Sequence, residues 1–181
     1  NGGPQAAQKG AFGPVFPWPL IPLHMVMLPD GKIMSYGSDE RGAQTGEFIY
    51  TVWDPEWDAA IPGAGPSAFE TLDNTTGSDI FCSTQLLLPQ TGNVLLVGGD
   101  RTVNGVRNYA IKDINLFNPI SKTLTKQPAM QYRRWYATAV TTAQGEQVIL
   151  GGRDDRDWGG TPGAPATTAT FPITPEVYNR T

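Results

Sequence analysis

With 181 residues, 39% of them hydrophobic and 17% charged, the chain can bury a core and falls within the size of one domain. A net charge of −4 gives no electrostatic footprint for nucleic acid, and no apolar run approaches the roughly 18 residues of a membrane span. Gly 21 and Pro 16 together make 37 residues, too turn-rich for a helical bundle, while 5 Trp and 7 Phe argue against disorder. The single Cys excludes an internal disulfide and a CxxC zinc or redox motif, and the single His, His24, excludes a multi-histidine metal site built by this chain alone. The chain opens at Asn1 without Met, a basic n-region or an apolar h-region, and reads as a mature or trimmed product.

In chain order, the first pattern is His24-Met-Val-Met-Leu-Pro-Asp-Gly31-Lys-Ile-Met-Ser-Tyr-Gly37: a strand, a tight turn at Asp30-Gly31 and a second strand ending in glycine. A third strand follows at 48–54, closing into Asp54-Pro55, and a weaker fourth fits 68–72. The pattern returns as Cys82-Ser-Thr-Gln-Leu-Leu-Leu-Pro-Gln-Thr-Gly92, then Asn93 to Gly98-Gly99. Its third strand is expected at 114–118 after a variable loop, and its fourth at 123–126. It returns again from Tyr136 through Gly145 to Gly151-Gly152, with a third strand at 176–179 and no fourth. In all three units a turn glycine sits six residues before the glycine that ends the apolar run, and the turn glycines are 61 and 53 residues apart (31 to 92, 92 to 145).

Repeats of this length, with four strands and a hairpin ending in Gly-Gly, predict an all-β fold of the kelch-type β-propeller class. The chain divides into an N-terminal extension, 1–19, and a partial propeller, 20–181, with blades at about 20–75, 79–128 and 132–181. The third blade is incomplete. Fewer than three full blades cannot close, so the stack is expected to be completed by a C-terminal segment outside this chain, either covalently continuous with it or cleaved and still assembled. The turn-rich loop 153–175 is expected to shape a rim. Its Arg153, Asp154, Asp155, Arg156 and Asp157 lack calcium-loop spacing and read as a self-paired solvated loop. The Asn74-Thr-Thr76 and Asn179-Arg-Thr181 triplets fit the N-glycosylation pattern and mildly favour a secreted protein.

Cys82 and Tyr136 hold the same place in successive repeats, ten residues before Gly92 and nine before Gly145, so the fold sets a thiol beside a phenol near the propeller axis. From these residues alone a buried small cysteine and a wall-filling tyrosine remain the plain reading. Asp79-Ile-Phe-Cys82 opening one blade and Arg133-Arg134-Trp135-Tyr136 opening the next resemble the copper radical oxidases, meaning galactose oxidase and especially the glyoxal oxidases. The Trp18-Pro-Leu-Ile-Pro-Leu-His24 segment is similar to the first blade of glyoxal-oxidase-like proteins, and the resemblance spans about residues 20–181. It implies a seven-bladed propeller and a thioether cross-link between Cys82 and Tyr136. Tyr136 would be both the radical site and a ligand of one copper ion.

The same resemblance implies a secreted enzyme that oxidises a small aldehyde or primary alcohol while O₂ is reduced to hydrogen peroxide. Two histidines and an axial tyrosine, the latter acting as general base, would come from the C-terminal remainder of the propeller as partner. The chain departs from the family in carrying no Tyr-His pair. His24 matches no ligand position and reads as structural, hydrogen-bonded across the channel. Where galactose oxidase stacks a tryptophan over its cross-link this chain has Asp154, with Trp158 as a candidate substitute from the loop. Arg133 and Arg134 are candidates either for orienting a carboxylate product or for bracing a blade interface. The alternative class is a non-catalytic kelch propeller binding protein or glycan, or a structural protein that has lost the copper, with Cys82 a free thiol.

Overall fold

Each of the three turn glycines takes a positive φ (83° at Gly31, 70° at Gly92, 86° at Gly145), and each closes a hairpin where the repeats place one. This is seen in a computed structural model that describes residues 3–12, 15, 17–56, 68–154 and 171–179. Asp155, Arg156, Asp157, Trp158 and the end of the second glycosylation triplet lie outside the described residues. The N-terminal segment holds one short helix, α1 (Ala6–Lys9).

Among the described residues the fold is all-β, in three successive antiparallel sheets. The first has the order β1 (Ile21–Met27), β2 (Ile33–Ser38), β3 (Ile49–Trp53), β4 (Phe69–Asp73). The second pairs β5 (Thr84–Leu87) with β6 (Val94–Val97), and β6 with β9 (Ile114–Asn118), which pairs in turn with β10 (Thr123–Gln127). Between β6 and β9 the chain makes a separate hairpin, β7 (Asp100–Val103) and β8 (Val106–Ala110). The repeat pattern assigns that stretch to a loop. Its Asn104-Gly105 turn, both residues at positive φ, is nonetheless a strong short-range hairpin signal. The third sheet has three strands, β11 (Trp135–Thr141), β12 (Gln147–Arg153) and β13 (Glu176–Tyr178).

Strand alternation puts one face of each sheet against the next. Met34, Tyr36, Tyr50 and Val52 of the first sheet meet Val94, Leu96 and Phe117 of the second, with Tyr50 edge-on to Phe117 at 5.6 Å between ring centroids. Leu95, Val97, Ile114 and Leu116 on the opposite face pack against Ile149 of the third. At two places successive sheets touch backbone to backbone. A Cβ on Gly46 would lie 2.6 Å from the amide nitrogen of Phe81, and one on Gly98 would collide with the carbonyl oxygen of Arg134. The flanking stretches carry Cys82 and Tyr136.

Asn115 breaks the apolar pattern. It is fully buried in β9, and neither its amide nitrogen nor its oxygen has a hydrogen-bond partner among the described residues. An amide desolvated without a partner costs roughly 1–3 kcal/mol in proteins. Asn115→Leu, close in shape, is therefore expected to raise stability by about that amount, read as a higher urea midpoint at unchanged m-value.

Asn74 corrects the use made of its glycosylation triplet. It is 8% exposed, and its side-chain nitrogen donates to the carbonyls of Gly46 (2.7 Å) and Ser78 (2.8 Å). That nitrogen is the atom a glycan would need, so Asn74 acts here as a cross-brace below β4 and gives no support for secretion.

Candidate functional site

The chain leading into β5 and the start of β11 run side by side. The Tyr136 N–H donates to the Cys82 carbonyl at 3.0 Å, so residues 54 positions apart (136 − 82) are joined through their backbones. Cys82 (φ 59°) and Tyr136 (φ 58°) both adopt the left-handed conformation. For a residue with a Cβ this costs about 1–2 kcal/mol, and such strain gathers where surrounding structure imposes it for a purpose. In β11 it has a visible effect. Successive side chains of a regular strand point to opposite faces, whereas here the ring of Tyr136 turns back onto Trp135, with centroids 4.5 Å apart and planes at 84°. The strand register is nonetheless unbroken across this point: Trp135 pairs with Arg153 and Ala137 with Gly151.

The two side chains meet. Cys82 is 1% exposed, Tyr136 is 56% exposed, and the thiol and the phenol lie near enough to shift each other's titration. Burial first of all pushes the Cys82 thiol up to about 12, so it is held as a neutral S–H. The neighbouring Cys82 side chain, then burial, pushes Tyr136 up to about 12. Cys82 lies two residues before β5, while Tyr136 is within β11. The pair anticipated from the repeats is thus brought together, one member sealed and the other open on one side.

His24 completes the inner shell. Its ring stacks on Tyr36 at 4.9 Å and 15°, stands edge-on to Phe81 and lies 6.4 Å from Tyr136. Its Nε2 accepts the Cys82 N–H at 3.3 Å, a role only the unprotonated nitrogen can fill, and burial lowers its affinity for a proton. His24 of β1 is thus hydrogen-bonded to the chain leading into β5, and the bond fixes Cys82. Below it the fully buried Tyr36 shares its hydroxyl with Ser83 (2.8 Å) and donates to Gln85 (3.0 Å). Sequence reading does not single out Tyr36, although its place one residue before the strand-ending Gly37 marks it as lining the same mouth.

Arg134 proves to be a brace. It is fully buried and donates to Glu176 through Nε and Nη2, to the Gly151 carbonyl and to the Thr174 carbonyl. Asp79, three residues before Cys82, accepts the Phe81 N–H at 3.0 Å and an ion pair from Arg107 at 3.3 Å. Burial, helped by the neighbouring Asp100 charge, pushes its carboxyl up to about 6 against the pull of the Phe81 amide and Arg107.

A raised carboxyl pKa has a definite sign. Below 3.8 the group is protonated in both folded and unfolded chains. As pH climbs to about 6 the unfolded chain loses the proton first, so stability falls across that window. About two units correspond to a loss on the order of 3 kcal/mol at 1.36 kcal/mol each. Asp79→Asn keeps the Phe81 bond and is expected to flatten this slope. Urea midpoints from pH 4 to 7 would show it, and a slope unchanged in Asp79→Asn would count against the assignment.

Copper is the metal that the resemblance implies. Among the described residues no three His, Cys, Asp or Glu side chains come together as a metal site. The phenol oxygen of the half-exposed Tyr136 suits one ligand position for a Cu(II) ion. His24 does not suit another, since its Nε2 is committed to the Cys82 amide.

No protein-family profile matches the chain, and no curated protein matches it. Among solved structures it is similar to a fungal alcohol oxidase of the AA5 family, one with catalytic diversity, in complex with copper. The TM-score is 0.60 at 17% sequence identity, over 92% of this chain. The chain spans 30% of that oxidase's length. At this identity the likeness shows the fold, an antiparallel all-β arrangement of the same kind. No described helix is long and apolar enough to cross a membrane.

Proposed function

We propose that this chain is part of a secreted copper radical oxidase that oxidises a small aldehyde or primary alcohol and reduces O₂ to hydrogen peroxide. The carrying observation is the pair Cys82 and Tyr136, at matching repeat positions, both left-handed, joined by a backbone hydrogen bond and with side chains near enough to shift each other's titration. The fold shared with a copper alcohol oxidase supports the reading. Tyr136 supplies one oxygen ligand and, once joined to Cys82 through a ring carbon, stores one oxidising equivalent. Copper, when bound, supplies the second. Cys82 and the ring each give up a hydrogen as the S–C bond forms, and O₂ takes both as hydrogen peroxide. His24 and the Tyr136 N–H hold Cys82 in place for that bond.

The three sheets are read as blades of a kelch-type propeller, with the remaining blades and ligands supplied by further sequence. Two uncovered apolar faces support this. On β1 the side chains of Ile21, Leu23, Met25 and Met27 stand exposed on one face, and on the third sheet Val140, Leu150 and Val177 do the same. Each face lies at an end of the stack, where a further blade would pack.

The test is the intact mass of the chain purified from its complete, copper-exposed protein, after denaturation and thiol alkylation. The reading expects a mass two hydrogens low, an unreactive Cys82 and a peptide joining Cys82 to Tyr136. A full-mass chain with Cys82 alkylated after exposure to copper and O₂ would overturn it in favour of a non-catalytic propeller.

A further inference from the structure

The hairpin β7–β8 adds nothing to the sheet cores, yet several of its polar groups are spent on the surroundings of one side chain, Trp135. Asp100 at the start of β7 accepts the Trp135 indole N–H at 3.2 Å while its other oxygen accepts the Asn108 N–H of β8 at 2.8 Å. Arg153, the cross-strand partner of Trp135 in β12, lays its guanidinium over the indole 4.1 Å from the ring centroid and donates to the Asn108 carbonyl at 2.8 Å. The hairpin is fastened at its far side by Arg107 to Asp79 and Gln44, and by Gln44 to Asn108. So Trp135 is gripped on its edge by a carboxylate and on its face by a cation, both anchored to the same hairpin. The same indole meets the ring of Tyr136, with centroids 4.5 Å apart and planes at 84°.

Tyr136 needs such a wall. The residue is 56% exposed, its φ is strained, and the side-chain neighbour it was placed beside, Cys82, offers only a weakly bonding thiol. A side chain so placed would sample several rotamers unless a rigid neighbour excluded them. We propose that Trp135, clamped by Asp100 and Arg153, is the positioning residue that holds the Tyr136 ring against Cys82. The functional consequence rests on the oxidase reading above, whereas the geometry does not. Where galactose oxidase stacks a tryptophan this chain has Asp154, and the aromatic ring packed on Tyr136 is instead Trp135, from the residue preceding the tyrosine.

The test uses fluorine NMR of the chain carrying 3-fluorotyrosine, with the Tyr136 signal assigned by its loss in Tyr136→Phe. One sharp signal is expected in the parent chain. Arg153→Gln leaves the indole present but loosens it, and should broaden or split that signal, as should Trp135→Leu. Trp135→Phe, which keeps an aromatic edge, should restore part of the single line. The second readout is the rate of Cys82–Tyr136 cross-linking in the complete protein given copper and O₂, expected to fall on the order of 100-fold in Trp135→Leu, as misplacement of reacting groups by about 1 Å does. A Tyr136 signal equally sharp in both Arg153→Gln and Trp135→Leu would overturn the proposal. Should the parent protein form no cross-link at all, the oxidase reading fails and the fluorine signals alone decide the positioning role. If Trp135→Leu does not fold, the line shape of Arg153→Gln decides the matter by itself.

Discussion

Arg134→Ala is expected to lower stability by about 3–5 kcal/mol, a large fraction of the roughly 5–15 kcal/mol by which native proteins are ordinarily stable. Its guanidinium is wholly buried, and its removal strands the Glu176 carboxylate, 17% exposed, beside two carbonyls that lose their donor. The damage crosses a boundary between sheets. Arg134 is tied to the second sheet by its backbone, donating to Ile111 and accepting from Gly99, and to the third by its side chain. Arg134→Met together with Glu176→Leu removes both charges, so most of the loss should be recovered, since apolar replacement of a whole buried pair is often neutral. Urea unfolding of the single and double variants checks both statements. A single variant within about 0.5 kcal/mol of the parent, the range of ordinary surface changes, would show that the brace is not what joins the sheets.

On the oxidase reading proposed above, Cys82→Ser and Tyr136→Phe are expected to reduce peroxide production by the complete protein to the uncatalysed background, each by a different route. Cys82→Ser keeps a small polar side chain in the cavity and a backbone that still accepts the Tyr136 N–H, so the fold should survive while no thioether can form. Tyr136→Phe removes the phenol oxygen from a half-exposed ring, and stability should change little. Hydrogen peroxide release and unfolding midpoints, measured on the same preparations, separate loss of chemistry from loss of fold. Full peroxide release from a folded Cys82→Ser protein would sink the radical-oxidase reading.

Much of this arrangement is written in the sequence because strands and turns are local. Gly31, Gly92 and Gly145 announce their hairpins through a conformation few other residues adopt, and the apolar runs after them read directly as core strands. The pairing of Cys82 with Tyr136 is legible for another reason: equivalent positions of successive repeats become neighbours whatever lies between them. What escapes is set by contacts between segments with no common pattern. Nothing near Trp135 in the chain reveals that Asp100 will take its indole N–H, because that depends on where the β7–β8 hairpin swings. Arg134 likewise shows its charge but not its burial, which depends on Glu176 arriving from 42 residues away (176 − 134). The left-handed backbone at Cys82 and Tyr136 is hidden too, since neither residue type favours it.

The meeting of backbone with backbone at Gly46 and Gly98 bears on inheritance. Where two sheets are spaced by side chains, each exchange of a core residue shifts the angle between them, and the shifts accumulate down a lineage. Here the spacing at the inner edge is held by a glycine against a main chain, and main-chain atoms do not mutate. The interior residues of a sheet can then drift almost freely while its spacing from the next sheet is retained. A shape recognisable at 17% identity, in a chain matched by no family profile, is what such a hinge of bare backbone would leave behind.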